Sequence, residues 1–290
     1  VKKVHEPVLL QEILHAFKDV DLRLFFEGTV GAGGHAEAIL KAHPEIKRYF
    51  ACDRDFSALK IAKETLKEFE DKIDWIHGPY ADVGAYLKKK KVAGIDGFFI
   101  DIGVSSMQLD QGERGFSFMS DAPLDMRMDV EGPLTAKMIV NKYPEKELAR
   151  IFFEYGEERR SRQVAKAIVE ARRKKPIETT FQLSKVIEPF ATKGKLHPST
   201  LVFQALRIVV NDELGQLERG LKSVIDLLNP GGRVAVISFH SLEDRIVKNV
   251  LRDEKKRLEI VTKKPMIATA EEMKKNPRSR SAKLRVAEKK

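Results

Sequence analysis

Leu22-Arg23-Leu24-Phe25-Phe26-Glu27-Gly28-Thr29-Val30-Gly31-Ala32-Gly33-Gly34-His35 is the stretch that decides the fold. Its first half is apolar and ends in an acid, which reads as a buried strand of a parallel sheet. Its second half is a glycine-rich turn that opens a helix, expected from about Gly34 to Ala42. Working outward, Tyr49–Asp53, Ile73–Ile76 and Ile95–Asp101 read as further strands. Between the second and third, Leu59, Ala62, Leu66 and Phe69 recur at helical spacing. Strands alternating with helices predict an α/β, doubly wound parallel sheet, with the strand C-termini gathered on one ligand-binding edge.

The alternation stops after Asp101. A glycine- and serine-containing stretch runs to about Pro133, and helical spacing then dominates. Leu148, Ile151, Phe152 and Tyr155 form one apolar face, and Val164, Ile168 and Ala171 a second. Phe181, Leu183, Val186 and Ile187 suggest a third helix, and Pro198 opens a fourth with Val202, Leu206, Val209 and Val210. The α/β pattern resumes with a helix over Leu217–Leu228, a stop at Asn229-Pro230-Gly231-Gly232, and a strand over Arg233–Phe239. Leu258–Val261 and Lys283–Val286 read as a late hairpin at the sheet edge. The expected organisation is a discontinuous domain over 1–114 and 215–290, interrupted by an all-helical insert over 115–214.

The chain has 290 residues, 42% hydrophobic and 33% charged, with a net charge of +10. That size supports a sizeable core beneath a wet surface, and the positive balance favours a polyanionic partner. A single cysteine, Cys52, excludes an intrachain disulfide and suggests a cytoplasmic setting. It lies in an apolar run and reads as a buried, inert thiol. No apolar run reaches membrane-spanning length, and Val1–Pro7 does not read as a signal peptide. The seven histidines lack metal-ligand spacing, so no metal is expected. There is no G-x-S-x-G elbow either.

Chemistry concentrates at the strand ends. Glycines at positions 31, 33 and 34 let a ligand approach the backbone, and the following helix presents free N–H groups. Asp53, about 20 residues on, suits a ribose diol, so the pair reads as a site for a nucleoside-containing cofactor. Gly31-Ala32-Gly33-Gly34-His35-Ala36 also fits the dinucleotide pattern. Glu27 favours S-adenosylmethionine (SAM) over NAD, since an acid would oppose a pyrophosphate but suit an amino group. Tyr80 either stacks on adenine or covers the sheet rim. Asp101 ends the fourth strand as a crevice carboxylate or a cap of the next loop. The segment Asp101–Asp110, with Ser105 and Gln108, is suited to a polar planar substrate. His240, at the end of the fifth strand, either orients a base or makes a surface hydrogen bond. Two basic clusters suit phosphate or are simply solvated faces: Arg159, Arg160, Arg162, Lys166 and Arg172–Lys175, and a tail group from Lys263 to Arg285.

Several strings resemble one family. They are His5-Glu6-Pro7-Val8-Leu9-Leu10, Gly31–His35, Asp101-Ile102-Gly103-Val104-Ser105-Ser106, Arg114-Gly115-Phe116-Ser117-Phe118 and Pro123–Asp129. Ser238-Phe239-His240-Ser241-Leu242-Glu243-Asp244 and Asn276–Arg285 belong with them. Together they resemble the bacterial 16S rRNA cytosine-N4 methyltransferases (RsmH, or MraW) over essentially the whole chain. The resemblance implies a class I SAM-dependent methyltransferase fold with a helical insert. It implies N4-methylation of cytidine 1402 in 16S rRNA, at the decoding centre, with rRNA or the small ribosomal subunit as partner. It places Gly33, Gly34, His35, Asp53, Tyr80, Asp101 and Gln108 at SAM. The wider class often carries Asp/Asn-Pro-Pro-Tyr after the fourth strand; here that position reads Asp101-Ile102-Gly103-Val104, so the base must be held differently. For the catalytic group Asp101 ranks first, followed by Asp125, Ser105 and His240. Phe116 and Phe118 are stacking candidates or core. A SAM-dependent methyltransferase acting on another RNA, a protein or a small molecule is the alternative, and both a monomer and a homodimer are open.

Overall fold

The structure, a computed structural model, describes residues 7–103, 112–191 and 197–290. The chain divides into two compact units, 1–103 with 214–290, and 104–213. The divisions fall at 103/104 and 213/214, against sequence expectations of 114/115 and 214/215.

The first unit is built on one sheet. Its strands are β1 (Leu24–Glu27), β2 (Arg48–Asp53), β3 (Ile73–His77), β4 (Ile95–Asp101), β5 (Leu228–Ser238), β6 (Leu258–Ile260), β7 (Met266–Ile267) and β8 (Lys283–Lys289). The order is β3-β2-β1-β4-β5-β8-β6, with β7 also on β8. The first five strands are parallel, and β6, β7 and β8 pair antiparallel. The late strands therefore do pair, but β8 lies inside the sheet between β5 and β6, not at its edge. A parallel sheet needs cover on both faces, and alternate residues of the same strands supply both cores. Phe25, Tyr49 and Phe99 face α1 (Leu10–Phe17), α2 (Gly34–Ala42) and α3 (Phe56–Thr65). Phe26, Phe50 and Phe98 stack side by side on the other face, with centroids 6.1 and 5.7 Å apart. There they meet α4 (Val83–Lys89), Leu217, Leu221 and Val224, and the helix Ser241–Asp253. At Gly97, paired with Phe25, a Cβ would stand 2.5 Å from that ring, so only glycine lets the phenyl lie flat across β4.

The second unit is helical, with α5 (Ala136–Lys142), α6 (Glu145–Glu154), α7 (Ser161–Lys174), α8 (Thr180–Ile187) and α9 (Pro198–Asn211). Leu148, Ile151 and Phe152 of α6 pack on Val164, Ala165 and Ile168 of α7 and on Val202, Phe203 and Leu206 of α9. Helix starts follow their caps: Thr135 and Thr179 accept from the N–H three residues on, and Pro198 sits at a first helical position. The expected face of α8 needs correction. Its buried stripe is Thr180, Leu183 and Ile187, which leaves Phe181 47% exposed. Phe116 is buried in this core, and Phe118 packs on Phe203 and on the ring of His197, so both stacking candidates are packing residues. Arg172, counted above with the phosphate-facing cations, instead donates to the carbonyls of Val140 and Tyr143. The first unit carries three further described helices, α10 (Glu213–Leu227, whose residues from Leu214 on belong to it), α11 (Ser241–Asp253) and α12 (Ala270–Lys275). No helix among the described residues is long and apolar enough to cross a membrane.

Candidate active site

Three neighbouring strands end in acids on one face of the sheet. Glu27 of β1 stands opposite Ala51 of β2 and Phe99 of β4. Asp53 and Asp101 follow two residues beyond those partners, and the two-residue strand period returns both to the face that carries Glu27. The glycine turn runs over this edge. Gly31 and Gly33 adopt positive φ of 54° and 89°, and Gly33 caps α2 from the left-handed region. The Gly31 N–H donates to Asp53 Oδ2 at 2.9 Å, while Asp53 Oδ1 accepts the Asp55 N–H at 2.8 Å. The Asp101 N–H donates to Thr29 Oγ1 at 2.8 Å. Turn and both acids are thus tied into one frame by main-chain hydrogen bonds. Gly34 lies against Pro7, where a Cβ would come within 2.7 Å of the ring.

The electrostatics are those of acids kept from water. Glu27 is fully buried; Oε2 accepts from the Tyr49 hydroxyl at 2.7 Å, and Oε1 has no partner among the described residues. Burial, assisted by repulsion from Asp101 and Asp53 and opposed by the Tyr49 hydrogen bond, pushes its pKa up to about 8. Asp101 Oδ1 is likewise buried without a partner among the described residues; burial first, then the charge of Glu243, raises this acid to about 8. Burial raises Asp53 to about 6 against the pull of its two N–H donors. His35 is buried, its Nε2 bonded to the Val8 carbonyl at 2.9 Å and its ring edge-on to Phe99. Its Nδ1 lies 4.0 Å from Asp101 Oδ2. Orphan carboxylate oxygens beside a turn of N–H groups suit a ligand that brings both hydrogen-bond donors and positive charge.

The structure therefore brings Gly33, Gly34, His35, Asp53 and Asp101 together. Tyr80 stands behind them: it is 9% exposed, packed between Gly28 and Gly220, where added Cβ atoms would come within 2.6 and 2.8 Å of it. Its position is that of a packing residue beneath the turn. Ser105 and Gln108 lie outside the described residues. Asp125 belongs to the helical unit, where Arg127 binds both its oxygens and holds its pKa down, so it has structural work there. His240 caps α11. Its Nδ1 accepts the Glu243 N–H, and Glu243 Oε2 accepts the N–H groups of Phe239 and His240 at 2.8 and 3.2 Å. This reciprocal cap gives His240 a local role. Two partners of Asp101 escaped the sequence reading. Thr29 carried no distinguishing signal, whereas Glu243 was legible as the acid three residues after a helix cap.

The family model described as the MraW methylase family matches residues 2–290. The "Ribosomal RNA small subunit methyltransferase H" of Geobacter sulfurreducens is 47% identical over 306 residues, covering 98% of each chain. The protein of the same name from Protochlamydia amoebophila is 50% identical, covering 98% of this chain and 97% of its own. Among solved structures, a candidate rRNA methylase from Clostridium thermocellum aligns over 99% of this chain and 100% of its own, with a TM-score of 0.50 at 10% identity, a likeness of fold. A doubly wound sheet with its glycine turn at the end of β1, and a match that runs from residue 2 to residue 290, agree: this chain belongs to the MraW methylase family.

Proposed function

We propose that this protein is a SAM-dependent methyltransferase of small-subunit rRNA that methylates N4 of cytidine 1402 at the decoding centre. The observation that carries the cofactor is the acid trio Glu27, Asp53 and Asp101, two of whose buried oxygens lack partners among the described residues. SAM brings an ammonium and a sulfonium, which such a cradle favours, whereas the pyrophosphate of NAD would be repelled by it. Gly33, Gly34, His35, Asp53 and Asp101 would hold it, with Gln108 completing the set and Tyr80 bracing the turn from below. When bound, SAM supplies an electrophilic methyl on a good leaving group. The substrate class follows from family membership and from the names of the relatives. The unit over 1–103 and 214–290 would carry the cofactor, the helical unit would recognise RNA, and the setting would be the cytoplasm, where ribosomes are made.

Cytosine N4 is a poor nucleophile because its lone pair is delocalised into the ring. A carboxylate that accepts an N4–H turns that lone pair out of conjugation, and Asp101 Oδ1, buried and without a partner among the described residues, would be the acceptor once the base is seated. Thr29 and Glu243 are positioning and tuning residues: the first fixes the Asp101 main chain, the second raises its pKa. Most of the acceleration then comes from alignment, and the base must leave its stack to reach the site.

Incubation of unmodified 16S rRNA and of 30S subunits with the protein and SAM, followed by nucleoside mass spectrometry, tests this reading. N4-methylcytidine mapped to position 1402 is expected. Methyl transfer to another nucleotide, or to no RNA at all, overturns the substrate assignment.

A further inference from the structure

The helical unit carries a cleft for which the reaction above has no use. α6 contributes Lys146, Arg150 and Phe153, which share one side of that helix at helical spacing. The turn into α7 and its first residues contribute Arg159, Arg160 and Arg162. The cleft measures about 810 Å³. Its charge is strongly one-sided, with Glu145 the one carboxylate among the lining residues. Arg150 is engaged by Glu147 and Glu154 on its own helix. Lys146, Arg159 and Arg162 are exposed and make no ion pair among the described residues. Arg160 is exposed as well, and its guanidinium donates to the Phe190 carbonyl at 3.2 Å. The 14-residue helix α7 begins in the cleft, so the positive end of its dipole adds to the same field.

Phe153 is the second observation. Leu148, Ile151 and Phe152 point into the core and are buried, whereas Phe153 is 60% exposed and lies outside that buried face. A phenyl ring standing among guanidinium groups that salt bridges do not consume combines the two elements of single-strand recognition. The forks grip phosphates bidentately, and the ring offers a face to an unstacked base. A lipid surface would require a broad apolar face, and Phe153 is the one large apolar side chain lining the cleft.

We infer that the cleft between α6 and α7 docks single-stranded RNA, with Arg159, Arg160 and Arg162 on consecutive phosphates and Phe153 stacked on a base. This rests on the reading that RNA is the substrate. It adds a footprint outside the methyl-transfer site, by which the protein grips RNA flanking its target.

Fluorescence anisotropy of the full chain with a labelled single-stranded RNA of about a dozen nucleotides, between about 50 and 200 mM salt, tests it. The triple variant R159Q/R160Q/R162Q is expected to weaken binding and to flatten the log-affinity against log-salt slope by about 2, the loss of three phosphate contacts. Phe153→Ala is expected to lower affinity at least about fivefold at an unchanged slope. The variant K88Q/K89Q/K91Q removes the same charge from the first unit and is expected to keep the wild-type slope. A wild-type slope in the arginine variant, an equal flattening in the lysine variant, or wild-type affinity in Phe153→Ala overturns the inference. Circular dichroism melting confirms that each variant is folded. Methylation of rRNA by the wild-type protein is measured in parallel. If it occurs while the arginine variant binds RNA normally, the cleft alone is refuted; if it fails, the substrate reading falls.

Discussion

Replacing Glu27 with glutamine keeps the shape of a side chain at the centre of the site and removes its proton equilibrium. Glu27 is fully buried, and its pKa stands at about 8 against an ordinary 4.5. The folded protein therefore keeps a proton on this acid over a pH range where the unfolded chain has released it. The sign follows: stability is lost as pH rises from 4.5 toward 8, at up to about 1.4 kcal/mol per pH unit for this one group. Between about pH 5 and pH 8 the loss comes to about 3 kcal/mol. Glutamine has no proton to lose, so the gap between wild type and Glu27→Gln should shift by that amount in the variant's favour across the interval. The assay is urea unfolding followed by tryptophan fluorescence. The chain's one tryptophan, Trp75, lies on β3, paired with Ala51 on the strand beside Glu27, and so reports on this sheet. Parallel pH profiles for the two proteins would refute the assignment of a raised Glu27.

Asp101→Ala should leave the melting temperature near that of wild type while lowering methyl transfer at least about a hundredfold; near-normal turnover would remove Asp101 from the mechanism. SAM affinity by calorimetry should rise between about pH 6 and pH 9. Glu27 and Asp101 are protonated at the low end and Asp53 about half so, and a cation binds better as they ionise. The uncharged analogue methylthioadenosine should show a much flatter profile. Gly220→Ala improves helix propensity in α10 yet should destabilise the protein by about 1–3 kcal/mol, because its Cβ meets the Tyr80 ring at 2.8 Å. A gain in stability by thermal melting would show that the ring yields easily.

The parts legible in the sequence are those dictated by neighbours along the chain. Runs such as Ile95–Ile100 gave both the strand and its burial on two faces, and acids at the ends of β1, β2 and β4 gave the ligand edge. Pro198 gave the start of α9. What escaped depends on contacts between distant segments. Tyr80 is a packing residue because Gly28 and Gly220 leave a slot for its ring, and nothing near Tyr80 announces those glycines. The place of β8 between β5 and β6 is a choice of partner, which strand propensity does not encode. Phe181 was misplaced by a single residue, since the cap at Thr179 sets the helical phase and the apolar run alone does not. His240 looked catalytic because it sits at the right edge, and the acid three residues later is what assigns it to the cap.

The pairing of β4 with β5 has a bearing on how this chain is made. β4 ends at Asp101, and its neighbour β5 begins at Leu228. A growing chain must therefore emit residues 102–227 before that side of β4 finds its partner. At roughly 5–20 residues per second, the wait is on the order of ten seconds. Throughout it, a strand carrying Phe98 and Phe99 presents bare N–H and C=O groups to any other nascent strand nearby. The helical segment, rich in local contacts, can fold within that interval, so the middle of the polypeptide matures before the sheet that brackets it. Rapid overproduction should consequently yield aggregates seeded by the first hundred residues, and slower translation or a holdase chaperone should recover soluble protein.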